Sequence, residues 1–371
     1  MMRTWLFAFA MMLSTVAPVS QAETWQQWQE FKSVYMTAEG RIVDGSDARL
    51  ITTSEGQSYA MFFALVANDK AAFDTLYNWT QQHLAGGDLT ARLPAWLWGK
   101  TSQGYGIIDS NSASDSDLWI AYTLIEAGRL WGSDYYQNVG YLLAKRILKE
   151  ETVSFGAGNR QLLPGKQGFE QGDKVKLNPS YVPLPVLAAF AHHDTAGPWR
   201  ELYSGSLALL LDSQRKGVSP DWLLYDGKTI SYDAKTTDIG NYNAIRSYLW
   251  AGMMPSDMEG ALPIVDSFKP FVSLAIEQQY TPLNTYAQSG KMEQSAPIGF
   301  DAALLPLIGL NADEEVTSNW AERVRENLVT DRNNEYYNNV LALFGLGWYD
   351  NQYRFNGQGE LLVPWAESGQ P

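Results

Sequence analysis

The chain has 371 residues, no cysteine, 27 basic against 41 acidic side chains and a formal charge of −14. Disulfides, thiolate nucleophiles and cysteine-bound metals are thereby excluded, and the acidic balance argues against nucleic acid as a partner. The 14 Trp and 20 Tyr each join a flat apolar face to a polar edge, which suits both helix packing and stacking on sugar rings.

In chain order, Met1-Met2-Arg3, an apolar run from Trp5 to Met12 and the ending Pro18-Val19-Ser20-Gln21-Ala22 read as a secretory signal peptide cleaved after Ala22. The run is too short to span a bilayer, and no later segment reaches about 18 apolar residues. A periplasmic or secreted chain of residues 23–371 is expected. Trp25, Trp28, Phe31, Val34 and Tyr35 recur at helical spacing over 25–36. A polar loop follows, then helices over 56–68 and 69–84 joined by an Asn68-Asp69 turn.

Residues 86–114 form a long polar and aromatic connection containing Pro94-Ala95-Trp96-Leu97-Trp98-Gly99, and a loop of that length inside a compact domain is usually functional. A second helical pair is predicted over 115–131 and 133–149. The glycine-bearing stretch 152–179 suggests some short strand and lacks phosphate-binding or dinucleotide spacing. Pairs resume at 180–193 with 197–213, 241–253 with 259–279 and 299–310 with 313–328, and a last helix covers 336–349. No linker or composition break divides them, so a single all-α domain of about twelve helices is expected. Helical hairpins in that number form a superhelical array or a closed toroid of six, and the lack of a fixed sequence period favours the toroid. His83, His192 and His193 lack zinc-site spacing and read as surface or packing residues; no metal or organic cofactor is implied.

Two acid motifs stand at predicted helix mouths. In Thr52-Thr53-Ser54-Glu55-Gly56-Gln57-Ser58-Tyr59-Ala60-Met61, Ser54 can cap a helix and Gly56 lets a ligand approach the backbone. Tyr59, Phe62, Phe63 and Leu65 then begin the buried face, which places Glu55 beside a cleft. Its simplest role there is to complement the helix dipole. In Ala113-Ser114-Asp115-Ser116-Asp117, the two Asp point in separate directions, so one can face a cleft while the other caps or pairs; Ser114 or Asp115 suits an N-cap. Cleaving a glycosidic bond needs an acid for the leaving oxygen and a second carboxylate for the nucleophile. In an inverting enzyme the two stand about 6.5–9.5 Å apart.

Ser54-Glu55-Gly56-Gln57-Ser58-Tyr59 and Ala113-Ser114-Asp115-Ser116-Asp117 resemble the two signature segments of glycoside hydrolase family 8, over nearly the whole chain. Leu93-Pro94-Ala95-Trp96-Leu97-Trp98-Gly99-Lys100, Leu163-Pro164-Gly165-Lys166, Asn178-Pro179-Ser180-Tyr181, Ser219-Pro220-Asp221-Trp222 and Ala244-Ile245-Arg246 support the likeness. The resemblance implies an (α/α)6 barrel, inverting hydrolysis of β-1,4-glucan such as cellulose, and a branch that works beside cellulose synthase machinery. It implies Glu55 as general acid and Asp115 as the residue holding the distorted sugar and attacking water. Trp96, Trp98 and Tyr181 become glucose-stacking candidates, and Arg246, Tyr59 and Asp117 further substrate contacts.

Three residues depart from the family pattern. Ser116 replaces a usual Ala or Gly, and Ala60 a common Gly. Tyr242-Asn243-Ala244-Ile245-Arg246 carries Asn243 where the cellulase members have the base Asp, and an amide cannot take a proton from water. Asn243 can still orient the water while Asp238, Asp233 or Asp115 serves as base. Alternatively the chain is an inactivated variant or a glucan-binding protein, or it hydrolyses chitosan or xylan.

Overall fold

The computed structural model describes residues 25–156 and 158–367; the predicted leader lies outside them. Its helices are α1 (Gln26–Tyr35), α2 (Ser54–Val66), α3 (Lys70–Leu84), α4 (Ser114–Trp131) and α5 (Asp134–Glu150). Then follow α6 (Leu184–His193), α7 (Trp199–Ser213), α8 (Ala244–Gly252), α9 (Ala261–Ser267) and α10 (Lys269–Gln278). The last are α11 (Ile298–Asn311), α12 (Glu314–Asn327), α13 (Tyr336–Tyr349) and the short α14 (Pro364–Glu367).

Six of these, α2, α4, α6, α8, α11 and α13, are buried on nearly every side, as helices apolar all round must be. They touch in that order around a ring, and Phe62 and Phe63 of α2 close it against Phe344 of α13. Outside lie the amphipathic partners α1, α3, α5, α7, the α9–α10 pair and α12, each with one buried stripe. The result is the (α/α)6 barrel expected from the helical pairs.

Aromatic side chains fill the ring's axis. Tyr59 meets Phe344 edge-on at 5.0 Å, Phe62 meets Trp119 at 4.9 Å, and Trp119 meets Trp250 at 5.3 Å. Such pairs add about 0.5–1.5 kcal/mol each beyond their buried area. Eight of the tryptophans are buried among the described residues, so packing rather than sugar binding accounts for most of the aromatic content.

Backbones approach most closely between α11 and α13, where a Cβ on Gly345 would lie 1.8 Å from Ala302 O. Gly345→Ala should therefore lower unfolding stability by about 1–3 kcal/mol despite alanine's better helix propensity, as denaturant melts would measure.

The structure adds strands that periodicity did not predict. The connection after α3 folds into a hairpin, Leu97–Thr101 with Gly104–Asp109, and the first of these strands also pairs with Thr52–Thr53. Residues 152–179 contribute strands as expected, and Lys174–Leu177 extends into a four-stranded sheet with Leu223–Tyr225. The predicted helix over 259–279 breaks at Phe268, because Pro270 removes a backbone donor and disfavours helical geometry before it. Among the described residues no helix is long and apolar enough to cross a membrane.

Candidate active site

The N-termini of the inner helices gather at one end of the ring, and the acid motifs lie there. Thr53, not Ser54, caps α2, its hydroxyl accepting from Gly56 N at 3.0 Å. Ser54 instead reaches across to α4, with its Oγ 2.6 Å from Ser116 Oγ. Ser116 donates its own proton to Ala113 O, so Ser54 is the donor between the two motifs. Ser116 thus gives its unexpected hydroxyl a purpose: it ties the mouth carrying Glu55 to the mouth carrying Asp115. Ser54 N also donates to Trp96 O at 3.0 Å, which fixes the tryptophan strand against Glu55.

Arg246, in the first turn of α8, is the hub. Its side chain is only 5% exposed, and Nη1 is paired with Glu55 Oε2. Nη2 donates to Asn243 Oδ1 at 3.0 Å and to Ser180 Oγ at 3.2 Å, and stands 3.8 Å from Asp115 Oδ2. The guanidinium also lies over the Tyr181 ring, 5.7 Å from its centroid. Glu55, with its side chain 21% exposed, is the carboxyl that opens to the cleft. Asp115 lies deeper, and its Oδ1 accepts from Ser116 N at 2.8 Å. Burial pushes Asp115 up to about 7; Arg246 opposes that rise and Glu55 adds to it. Neither Ser114 nor Asp115 caps α4, whose N-cap position belongs to Ala113 with no side-chain bond.

Asn243 is held from two sides. Its Oδ1 accepts from Asn178 Nδ2 at 3.1 Å as well as from Arg246. Asp221 lies behind it and caps α8 from outside the helix, its Oδ1 accepting from Asn241 N, Asn243 N and Ala244 N at 2.8, 3.1 and 2.7 Å. Burial raises the Asp221 carboxyl, and these donors, with the Asn243 side chain, pull the other way. Tyr181 adjoins Trp222, which stacks parallel to Phe169 at 6.3 Å. Tyr337 of α13 donates to Tyr242 O at 2.8 Å. Asp221, Trp222 and Asn178 stood only in supporting motifs, and Tyr337 had no signal beyond an aromatic pair at a helix start.

Three expected substrate contacts need correction. Tyr59 is 1% exposed and belongs to the aromatic axis. Asp117 is wholly buried and faces Glu151 instead of the cleft. Trp98 is 9% exposed, edge-on to Trp79 with Tyr105 stacked on it and Arg41 over its ring, so it is packed into the hairpin; Trp96 is half-buried. Asp238 accepts from Gln288 N at 3.0 Å across the chain, and Asp233 from Lys235 N and Thr236 N in a turn; neither is engaged with Arg246. His83 stacks on Trp79, and His193 stands 3.8 Å from Glu126. Among the described residues no cluster of His, Cys, Asp and Glu could hold a metal ion.

An all-helical toroid with acids from separate helix mouths around one buried arginine is the build of a glycoside hydrolase. The chain belongs to the Glycosyl hydrolases family 8, whose sequence model matches residues 2–351. A protein named Endoglucanase from Escherichia coli O157:H7 is 45% identical over 359 residues, covering 96% of each chain. The crystal structure of endo-1,4-D-glucanase from Vibrio fischeri ES114 is 47% identical, with a TM-score of 0.88 over 92% of this chain and 99% of that one. An endo-beta-1,4-glucanase from an Achatina fulica gut metagenomic library shares 27% identity, with a TM-score of 0.72 over 89% of this chain and 100% of its own.

Proposed function

We propose that this protein is an endo-β-1,4-glucanase that cuts internal bonds of cellulose-type chains with inversion, after export through its signal peptide and in association with cellulose synthesis. The observation that carries the reading is Arg246, which brings Glu55, Asp115 and Asn243 to one point on the cleft floor. Names of close relatives and membership of family 8 support the substrate. The signal-peptide pattern and the likeness to the cellulose-synthesis branch support the location and association.

In this mechanism Glu55 protonates the leaving glycosidic oxygen, and Arg246 receives its carboxylate when the proton has gone. Water attacks the anomeric carbon from the opposite side of the ring. Asn243 can orient that water but cannot accept its proton. Asp115 is the other carboxyl within reach of Arg246, and a group brought near neutrality by burial suits a general base. Tyr181 is the aromatic side chain beside it that remains for a glucose ring, since Phe169 and Lys176 already pack on Trp222.

The purified protein should release reducing ends from carboxymethylcellulose much faster than from chitosan or xylan, with the first-formed new end in the α configuration by NMR. Faster release from either other polymer would reassign the substrate. The amide at Asn243 favours a second reading, a glucan binder with slow turnover, and binding of cello-oligosaccharides without any product would establish it.

A further inference from the structure

Beneath Asp115 lies a pair of acids with no task in that mechanism. Asp117, in the first turn of α4, and Glu151, just past the end of α5, are both fully shielded from solvent and face each other. Ser112 Oγ donates to Glu151 Oε1 at 2.5 Å. Among the described residues no donor outside the pair reaches either oxygen of Asp117 or Oε2 of Glu151. Ionised carboxylates only accept hydrogen bonds, so three buried acceptor oxygens confront one another unsatisfied. One proton between the two groups turns the clash into a donor–acceptor pair, as in other carboxyl dyads.

We propose that Asp117 and Glu151 share one proton at neutral pH and that this bridged pair positions Asp115 for hydrolysis. The positioning rests on the function proposed above; the shared proton does not. Three chain segments meet at the pair. Ser112 leads into α4 and accepts from Lys166 N at 3.0 Å; Ser114 N donates to Pro164 O at 3.0 Å; and Leu163 N donates to Glu151 O at 2.8 Å. Gly165 presses so closely on this junction that a Cβ there would lie 2.3 Å from Ser112 O. Asp115 is two residues from Asp117 on the same turn, so a change at the pair is felt at its backbone.

The charges facing Asp117 are those of Glu151, Asp115 and Lys166; those facing Glu151 are Asp117, Asp115 and Glu150. Burial is the main cause that raises both acids, Glu151 to about 8. The folded chain therefore keeps a proton that the unfolded chain releases near ordinary carboxyl values. Stability must fall as pH rises between those values and about 8. Above that window a second negative charge develops under Asp115.

The wild-type melting temperature should fall between about pH 5 and about pH 8. In Glu151→Gln the new amide donates to Asp117 in the proton's place, so the part of that slope due to the pair, including all of it between about pH 7 and about pH 8, should vanish while the part due to Asp115 remains. Its kcat near neutrality should stay within about threefold while the alkaline loss of kcat moves up by about one pH unit. Wild-type pH dependence of both melting and kcat in this variant would overturn the proposal. Should Glu151→Gln fail to fold, the test passes to infrared spectra of Asp115→Asn, in which Asp115 contributes no band. A protonated-carboxyl band lost near about pH 8 supports the shared proton, and its absence at about pH 6 rules it out. If the protein hydrolyses nothing, the melting and infrared results still decide the proton itself.

Discussion

Glu55→Gln lowers kcat on carboxymethylcellulose by about 10²–10⁴-fold, the range a positioned general acid supplies, and leaves circular dichroism and cooperative melting in place. Glutamine keeps the length of the side chain and an oxygen for Arg246 Nη1, so the hub retains a partner there in addition to Asn243 and Ser180. What it loses is the proton for the leaving oxygen. Because that loss acts on the chemical step, KM should move little. Turnover within a few-fold of wild type would remove Glu55 from the acid role.

Asn243→Asp raises kcat by about 10–10²-fold, part of what a general base contributes. An aspartate there keeps both bonds its oxygen already accepts, from Asn178 and Arg246, and gains the capacity to take a proton from water. It also brings a second acid against Asp221, which now receives hydrogen bonding from the Asn243 side chain. A stability loss of about 1–3 kcal/mol should accompany the gain, since the bond to a buried acceptor is lost. The acid limb of the rate profile, set near 7 while Asp115 serves as base, should move to lower pH. An unchanged or reduced kcat would mean that Asn243 does not limit the reaction and that Asp115 is already tuned as base.

Helix-forming periodicity is clearest in the outer helices with one buried stripe, whereas α13 was legible as an unbroken apolar run that falls on the predicted bounds Tyr336–Tyr349. It failed in the connections, where strands as short as Thr52–Thr53 or Ile239–Gly240 depend on partners far along the chain. The acids of the site were legible because helix mouths have a sequence signature; their surroundings were not. Tyr59 lies one turn after Glu55 on the same face of α2, about 6 Å further along the helix, where it sinks into the aromatic axis. Asp117 resembled a second cleft acid because nothing local announced Glu151, at the far end of the same helical pair, as its partner. Asp221 caps α8 from 23 residues before Ala244, a distance at which no capping pattern can be read.

The ring is sealed by partners from opposite ends of the chain. Tyr35 Oη donates to Asp331 O, 296 residues on, and Trp365 Nε1 to Val66 O across 299. Contacts so remote in sequence form only after nearly the whole polypeptide is present, and closing such loops is entropically slow. Glu55 sits on the first inner helix, and the last inner helix closes beside it. A chain emerging in order, N-terminus first, would thus hold its acid early and acquire a finished cleft late. Activity would then report completed folding rather than the arrival of any single residue.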